Sequence, residues 1–234
     1  MNELVLIFQV LLFFGGLVGM YRWLGFKGVM AWSILATVAA NIECLIQINA
    51  FGLSMTGGNI LFASTFLATD IISEMYGKKK ANMMVNISIV TSVLFVIVSQ
   101  TWLFFAPNDV DFAFPHVQGI FSSVPRIMIA SLLTYAIVQK TDIWLYHLIW
   151  QITDKLSHDK KKFLWLRNTG ATMISQFFNA ILFNFGAFYL MTPGYTMGYC
   201  WKISMATFVV YIATTILDTP FIYMACRISP RRSK

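Results

Sequence analysis

A chain of 234 residues that is 58% hydrophobic and 12% charged, with a mean hydropathy of +0.68, is suited to a bilayer. Soluble domains carry about 25% charged residues. The formal net charge of +7 does not mark a nucleic-acid binder, because the basic residues cluster between apolar runs, as cytoplasmic loops do. Cys44, Cys200 and Cys226 are odd in number and widely spaced, so neither a disulfide framework nor a metal cluster follows, and no cofactor is expected.

A helix needs about 20 mostly apolar residues to cross the hydrocarbon core. Seven segments meet this, at about 4–21, 28–50, 58–77, 83–106, 122–149, 168–190 and 203–226. The expected fold is therefore all-α, a polytopic transmembrane helix bundle of six to seven spans, with 1–234 forming one integral membrane domain. The first run lacks a basic n-region and an A-x-A-like cleavage site, so it reads as a retained span and not a signal peptide.

The second run carries Asn41, Glu43, Gln47 and Asn49 in its second half. Interhelical hydrogen bonding accounts for the amides. Glu43 is ionisable and needs a cation, a proton or a shared network. The third run, NILFASTFLATDIISEMYGKKKAN, holds Asp70 and Glu74 four residues apart, on one helical face. An i,i+4 pair with Lys78 would explain Glu74 without any function. Asp70 lies too deep for an aspartate to reach the membrane surface, so it is expected to line a cavity.

The fifth run is the least clean. It contains Arg126, Lys140 and Asp142, is expected to break or tilt, and its charges read as interfacial. In the sixth run Thr172, Gln176, Asn179 and Phe183 follow helical spacing, a polar stripe ending in a ring, with Arg167 and Asn168 at its mouth. Amides offer both donors and acceptors, which suits reading a polar solute. In the seventh run Asp218 precedes Pro220, which can open a helix. A faint echo aligns Gln139 and Asp142 with Gln176 and Asn179.

Most of the 17 lysines and arginines fall in one set of loops, including Lys78–Lys80 and Lys160–Lys162. The positive-inside rule then places the N-terminus outside and the C-terminus in the cytoplasm of a multi-pass cell-membrane protein. Tryptophans 23, 102, 150, 165 and 201 lie near span ends, as interfacial anchors do.

The strings NIECLIQINAFG, FLATDIISEMYGKKKA and WLRNTGATMISQFFNAILFNFGAF resemble the queuosine precursor transporters, also called the vitamin uptake transporter family. The resemblance covers roughly 30–225. It implies import of 7-cyano-7-deazaguanine and 7-aminomethyl-7-deazaguanine for salvage into tRNA modification. On it, Asp70, Glu74, Asn168, Gln176 and Asn179 match motif positions, and Asn179 stands where the family often has aspartate. Independently, a carboxylate can accept two N–H groups from a guanine-like edge, amides suit its acceptors, and rings suit its flat face.

The expected substrate-binding residues are therefore Asp70, Glu74, Gln176, Asn179, Asn41, Glu43 and Asn168. Asp70, Glu74 and Asp218 are the candidates for coupling. The partners are a nucleobase-like small molecule and the lipid bilayer, with no nucleic acid. No GxxxxGK[ST] string occurs, so the chain does not itself hydrolyse ATP. The alternative is a substrate-binding subunit of an ATP-driven vitamin or nucleobase uptake system. An enzyme is not expected: His116, His147 and His158 fall in loops or near span ends, and no G-x-S-x-G or paired-histidine metal motif appears.

Overall fold

The computed structural model describes residues 1–122, 125–157, 163–189 and 194–228. His158, Lys160, Lys161, Lys162, Arg231, Arg232 and Lys234, used above for orientation and the enzyme question, lie outside the described residues. Eight helices follow in chain order: α1 (Asn2–Leu24), α2 (Phe26–Glu43), α3 (Asn59–Tyr76), α4 (Lys78–Trp102), α5 (Phe114–Ser122), α6 (Pro125–Ser157), α7 (Leu164–Phe188) and α8 (Met197–Arg227). Between α2 and α3 stand two short strands, β1 (Gln47–Ala50) and β2 (Leu53–Thr56), paired antiparallel with Ala50 opposite Leu53.

The hairpin corrects the expected second span. The apolar run continues to residue 50, but the helix stops at Glu43. Phe51 and Gly52 both hold positive φ, 52° and 73°. That is the backbone a two-residue turn between right-twisted strands requires. Asn2 of α1 donates to the Asn49 carbonyl (2.9 Å) and holds the hairpin against the bundle.

The span count also falls below six to seven. Among the described residues, four helices are long and apolar enough to cross a membrane: α1, α4, α7 and α8. A fifth span results if α5 and α6, bent by 53°, act together. Within the fifth run itself no break occurs: α6 is continuous from Pro125 to Ser157, and the bend precedes it. α2 and α3 have 18 residues each and carry polar side chains that lower their apolarity.

Those polar side chains face protein. α3 is the central helix, packed against α1, α2, α4, α6 and α8. From Asn59 to Ser73 every residue except Phe62 is buried. Phe66, Leu67, Ile71 and Ile72 interdigitate with neighbouring helices, while Ser64, Thr65 and Thr69 turn hydroxyls back onto α3 carbonyls. Gln139 of α6 donates to Thr65 (2.8 Å), fastening α6 to α3. α6 and α7 form the most extensive helix pair, and α7 packs in turn on α8.

The outer faces are apolar. Leu4, Phe8, Leu11, Val90, Leu94, Ile97, Leu133, Ile137 and Ile216 are all exposed. A lipid-facing surface accounts for this pattern, and the chain is a multi-pass membrane protein.

Candidate functional site

The upper part of the bundle encloses a small void of about 20 Å³, close to the room one water molecule needs. It lies where the end of α2, the close of β2, the start of α3, the first turns of α6, the C-terminal half of α7 and the middle of α8 meet. Asn59, Phe62, Ser131, Asn179, Phe183 and Tyr211 line it, with Thr56 and Gly58. Gly58 lets α3 begin against the end of α2: a Cβ there would stand 2.8 Å from the Ala40 carbonyl oxygen and 3.0 Å from the Cys44 nitrogen.

The lining is a set of amides and hydroxyls between rings. Thr56 donates to Asn59 Oδ1 (2.9 Å), and the Tyr211 hydroxyl reaches the same oxygen at 3.5 Å. Asn179 donates to Gln176 Oε1 (3.0 Å). Asn59 Nδ2 and Gln176 Nε2 complete no hydrogen bond, although both residues are buried. Unpaired buried donors cost about 1–3 kcal/mol each. A guest with acceptors on one edge would satisfy them.

Deeper along α3 lies a second polar centre. Asp70 is eleven residues from Asn59, about 16 Å along a helix axis, so it does not line the small void. Thr172 of α7 donates to Asp70 Oδ2 (3.2 Å), and Asp70 Oδ1 has no partner. Asp142 of α6 and Asp218 of α8 are near enough for their charges to bear on Asp70. All three are buried. Asn168 donates to Asp218 (2.8 Å). Thr172 and Ser175 lie beside Asp142, yet no hydrogen bond of ordinary geometry closes on either of its oxygens. An ionised carboxylate so placed costs several kcal/mol. Among the described residues, no group of three acids, histidines or cysteines is arranged to hold a metal ion.

One turn further, Glu74 is fully engaged. Arg167 grips it with both arms, at 2.6 and 3.0 Å, and the Tyr146 hydroxyl donates to it at 2.7 Å. Arg167 is 1% exposed and lies over the Trp150 ring, 4.5 Å from its centroid. Glu74 is thus held by a residue 93 positions away, and the expected pair with Lys78 does not form. Trp150, expected as an interfacial anchor, stacks on Arg167 and on His147. Glu74 and Trp150 line an open pocket of about 320 Å³ with Gly77, His147 and Asp154.

The remaining candidates are dispersed. Asn41 donates to the Thr37 carbonyl of its own helix (2.9 Å). Glu43 accepts from Gln9 of α1 (2.5 Å) in a separate groove with Asn2 and Gly57. So the structure brings Asn179 to the small void with Gln176 hydrogen-bonded to it, gathers Asp70, Asn168 and Asp218 at the second centre, sets Glu74 in an ion pair, and leaves Asn41 and Glu43 apart from all of these. Asp142, expected to be interfacial, is 0% exposed. Arg126 meets no carboxylate. It caps α7 by donating to the carbonyls of Gly186 (3.3 Å) and Tyr189. Asn59, Phe62, Ser131 and Tyr211 were missed, because each looks like an ordinary helix residue until four helices are brought together.

The family model described as "Putative vitamin uptake transporter" matches residues 56–225. The "Probable queuosine precursor transporter" of Bacillus subtilis (strain 168) is 32% identical over 213 residues, covering 90% of this chain and 88% of that protein. No solved structure matches. The matched region holds α3, α7, nearly all of α8 and every residue of the two polar centres. The chain belongs to the vitamin uptake transporter family.

Proposed function

We propose that this protein imports queuosine precursors, 7-cyano-7-deazaguanine, 7-aminomethyl-7-deazaguanine or both, across the cytoplasmic membrane for salvage into tRNA modification. The observation that carries this is the convergence of Asn59, Asn179 and Tyr211 around one buried void, with Phe62 and Phe183 beside it and Gln176 hydrogen-bonded to Asn179 from behind. A deazaguanine has acceptors for the two unpaired amide donors and a flat face for the rings. The name of the Bacillus subtilis relative supports the same substrate class.

The void is far smaller than a bicyclic base, so admission requires helices to part. α7 and α8 supply most of the movable wall on this account, and the Glu74–Arg167 pair holds the opposite end shut. The chain works as one membrane unit, 1–234, with its C-terminus in the cytoplasm, without a nucleic-acid partner and without catalysis.

The test uses cells unable to synthesise the precursors, fed each base in turn, with queuosine in tRNA as the readout. The account expects queuosine only when this protein is expressed. Its absence with both bases would overturn the substrate assignment. Uptake into liposomes holding the purified protein alone is also expected; a requirement for a separate ATPase would favour the ATP-driven subunit.

A further inference from the structure

We propose that Asp70 and Asp142 form a carboxyl pair that holds one shared proton and passes it across the membrane with the transported base. This rests on the import reading above and adds the coupling ion and its site. The pair sits at the junction of α3, α6, α7 and α8, apart from the void that takes the base. Two features beyond the acids mark a missing occupant. Asp70 Oδ1 and both Asp142 oxygens close no hydrogen bond, and neither does Ser175 Oγ beside Asp142 nor the Oδ1 of Asn168, which holds Asp218. All four residues are 0% exposed. The carboxylate and amide oxygens among these lack a donor hydrogen. A proton on one carboxyl supplies that hydrogen directly to the other.

A metal cation is the less suitable occupant, because no three acids are arranged around a common point among the described residues. The surroundings also suit a proton. From α3, Glu74 faces the site but is neutralised by Arg167 of α7. From α6, Tyr146 donates to Glu74, and His147 lies beside Lys78 of α4. From α8, Asp218 is held by Asn168. The charges that bear on Asp70 are those of Asp142, Asp218 and Glu74. The proton enters from water on the outer side, bridges the two carboxyls, and leaves to cytoplasmic water when the Glu74–Arg167 end opens.

Two measurements on the full-length protein in lipid test this. Infrared spectroscopy should show the carbonyl stretch of a protonated carboxyl in the unaltered protein, absent in Asp142→Asn and altered in Asp70→Asn. In liposomes carrying an internal pH dye, entry of labelled 7-cyano-7-deazaguanine should acidify the interior. Asp142→Asn should lose gradient-driven accumulation while keeping counterflow exchange within about two-fold. Base uptake without acidification, or a carboxyl band unchanged in both variants, would overturn the proposal and leave the import reading standing. A carboxyl band that behaves as expected in a protein that moves neither base would support the proton pair and overturn the substrate assignment instead. Loss of counterflow along with accumulation in a folded Asp142→Asn protein would assign Asp142 a structural role and overturn the proposal.

Discussion

At the scale of single residues, the chain separates three jobs that one polar patch in the sequence conflates. Glu74 is held by Arg167 and Tyr146. Removing one partner of a buried pair strands the other, at a cost of about 3–5 kcal/mol. Arg167→Met should therefore lower the thermal midpoint in detergent far more than the double variant Arg167→Met with Glu74→Gln. An equal loss in both would show that the pair is not what holds this end. Tyr146→Phe removes one hydrogen bond to a charged acceptor and should cost about 1.5–3 kcal/mol. Around the void, Asn59 is buried with its Nδ2 unpaired, and Asn179 is buried with its amide donated to Gln176. Changing either to alanine should raise the KM for base uptake about tenfold, the effect of roughly one hydrogen bond, with little change in stability. A matching fall in stability would mark them as packing groups.

At the scale of elements, the meeting of α2, the hairpin and α3 shapes the site. Gly58→Ala places a methyl against the backbone of Ala40 and Cys44, which cannot yield without moving a helix. It should cost about 1–3 kcal/mol and distort the void. Gly19→Ala in α1 meets nothing within 4 Å and should fold normally. Thermal unfolding of the two variants side by side checks this. The hairpin also shows where sequence reasoning fails. Residues 44–50 are apolar enough to extend a span, yet the helix closes at Glu43 and the chain turns back on itself at Phe51 and Gly52. Hydropathy has no sign for that.

At the scale of the whole molecule, the apolar runs were legible and their polar interior was legible only in part. α1, α4, α7 and α8 stand where long apolar runs predict them. Asp70 was legible as a buried acid because depth along one helix can be counted. Its neighbours were not: Asp142 lies 72 residues away beside Lys140, and looked interfacial until α6 was seen to run on to Ser157. Arg167 was visible at the mouth of α7, but no spacing rule connects it to Glu74. The stripe Thr172, Gln176, Asn179 was read correctly as one face, yet the structure splits it, Thr172 toward Asp70 and Asn179 toward the void. A single bundle with a small polar void above and buried acids below suits the cycle proposed here, in which base and proton occupy different sites.

The most direct test of a polar guest in the upper void is equilibrium binding of labelled 7-cyano-7-deazaguanine to the purified protein in lipid nanodiscs, for the unaltered chain, Asn179→Ala and Asn41→Ala. The account predicts saturable binding that weakens about tenfold in Asn179→Ala and stays within about two-fold in Asn41→Ala, whose amide only bonds its own helix. Binding indifferent to Asn179→Ala but abolished by Asn41→Ala would contradict it and place the guest elsewhere in the bundle.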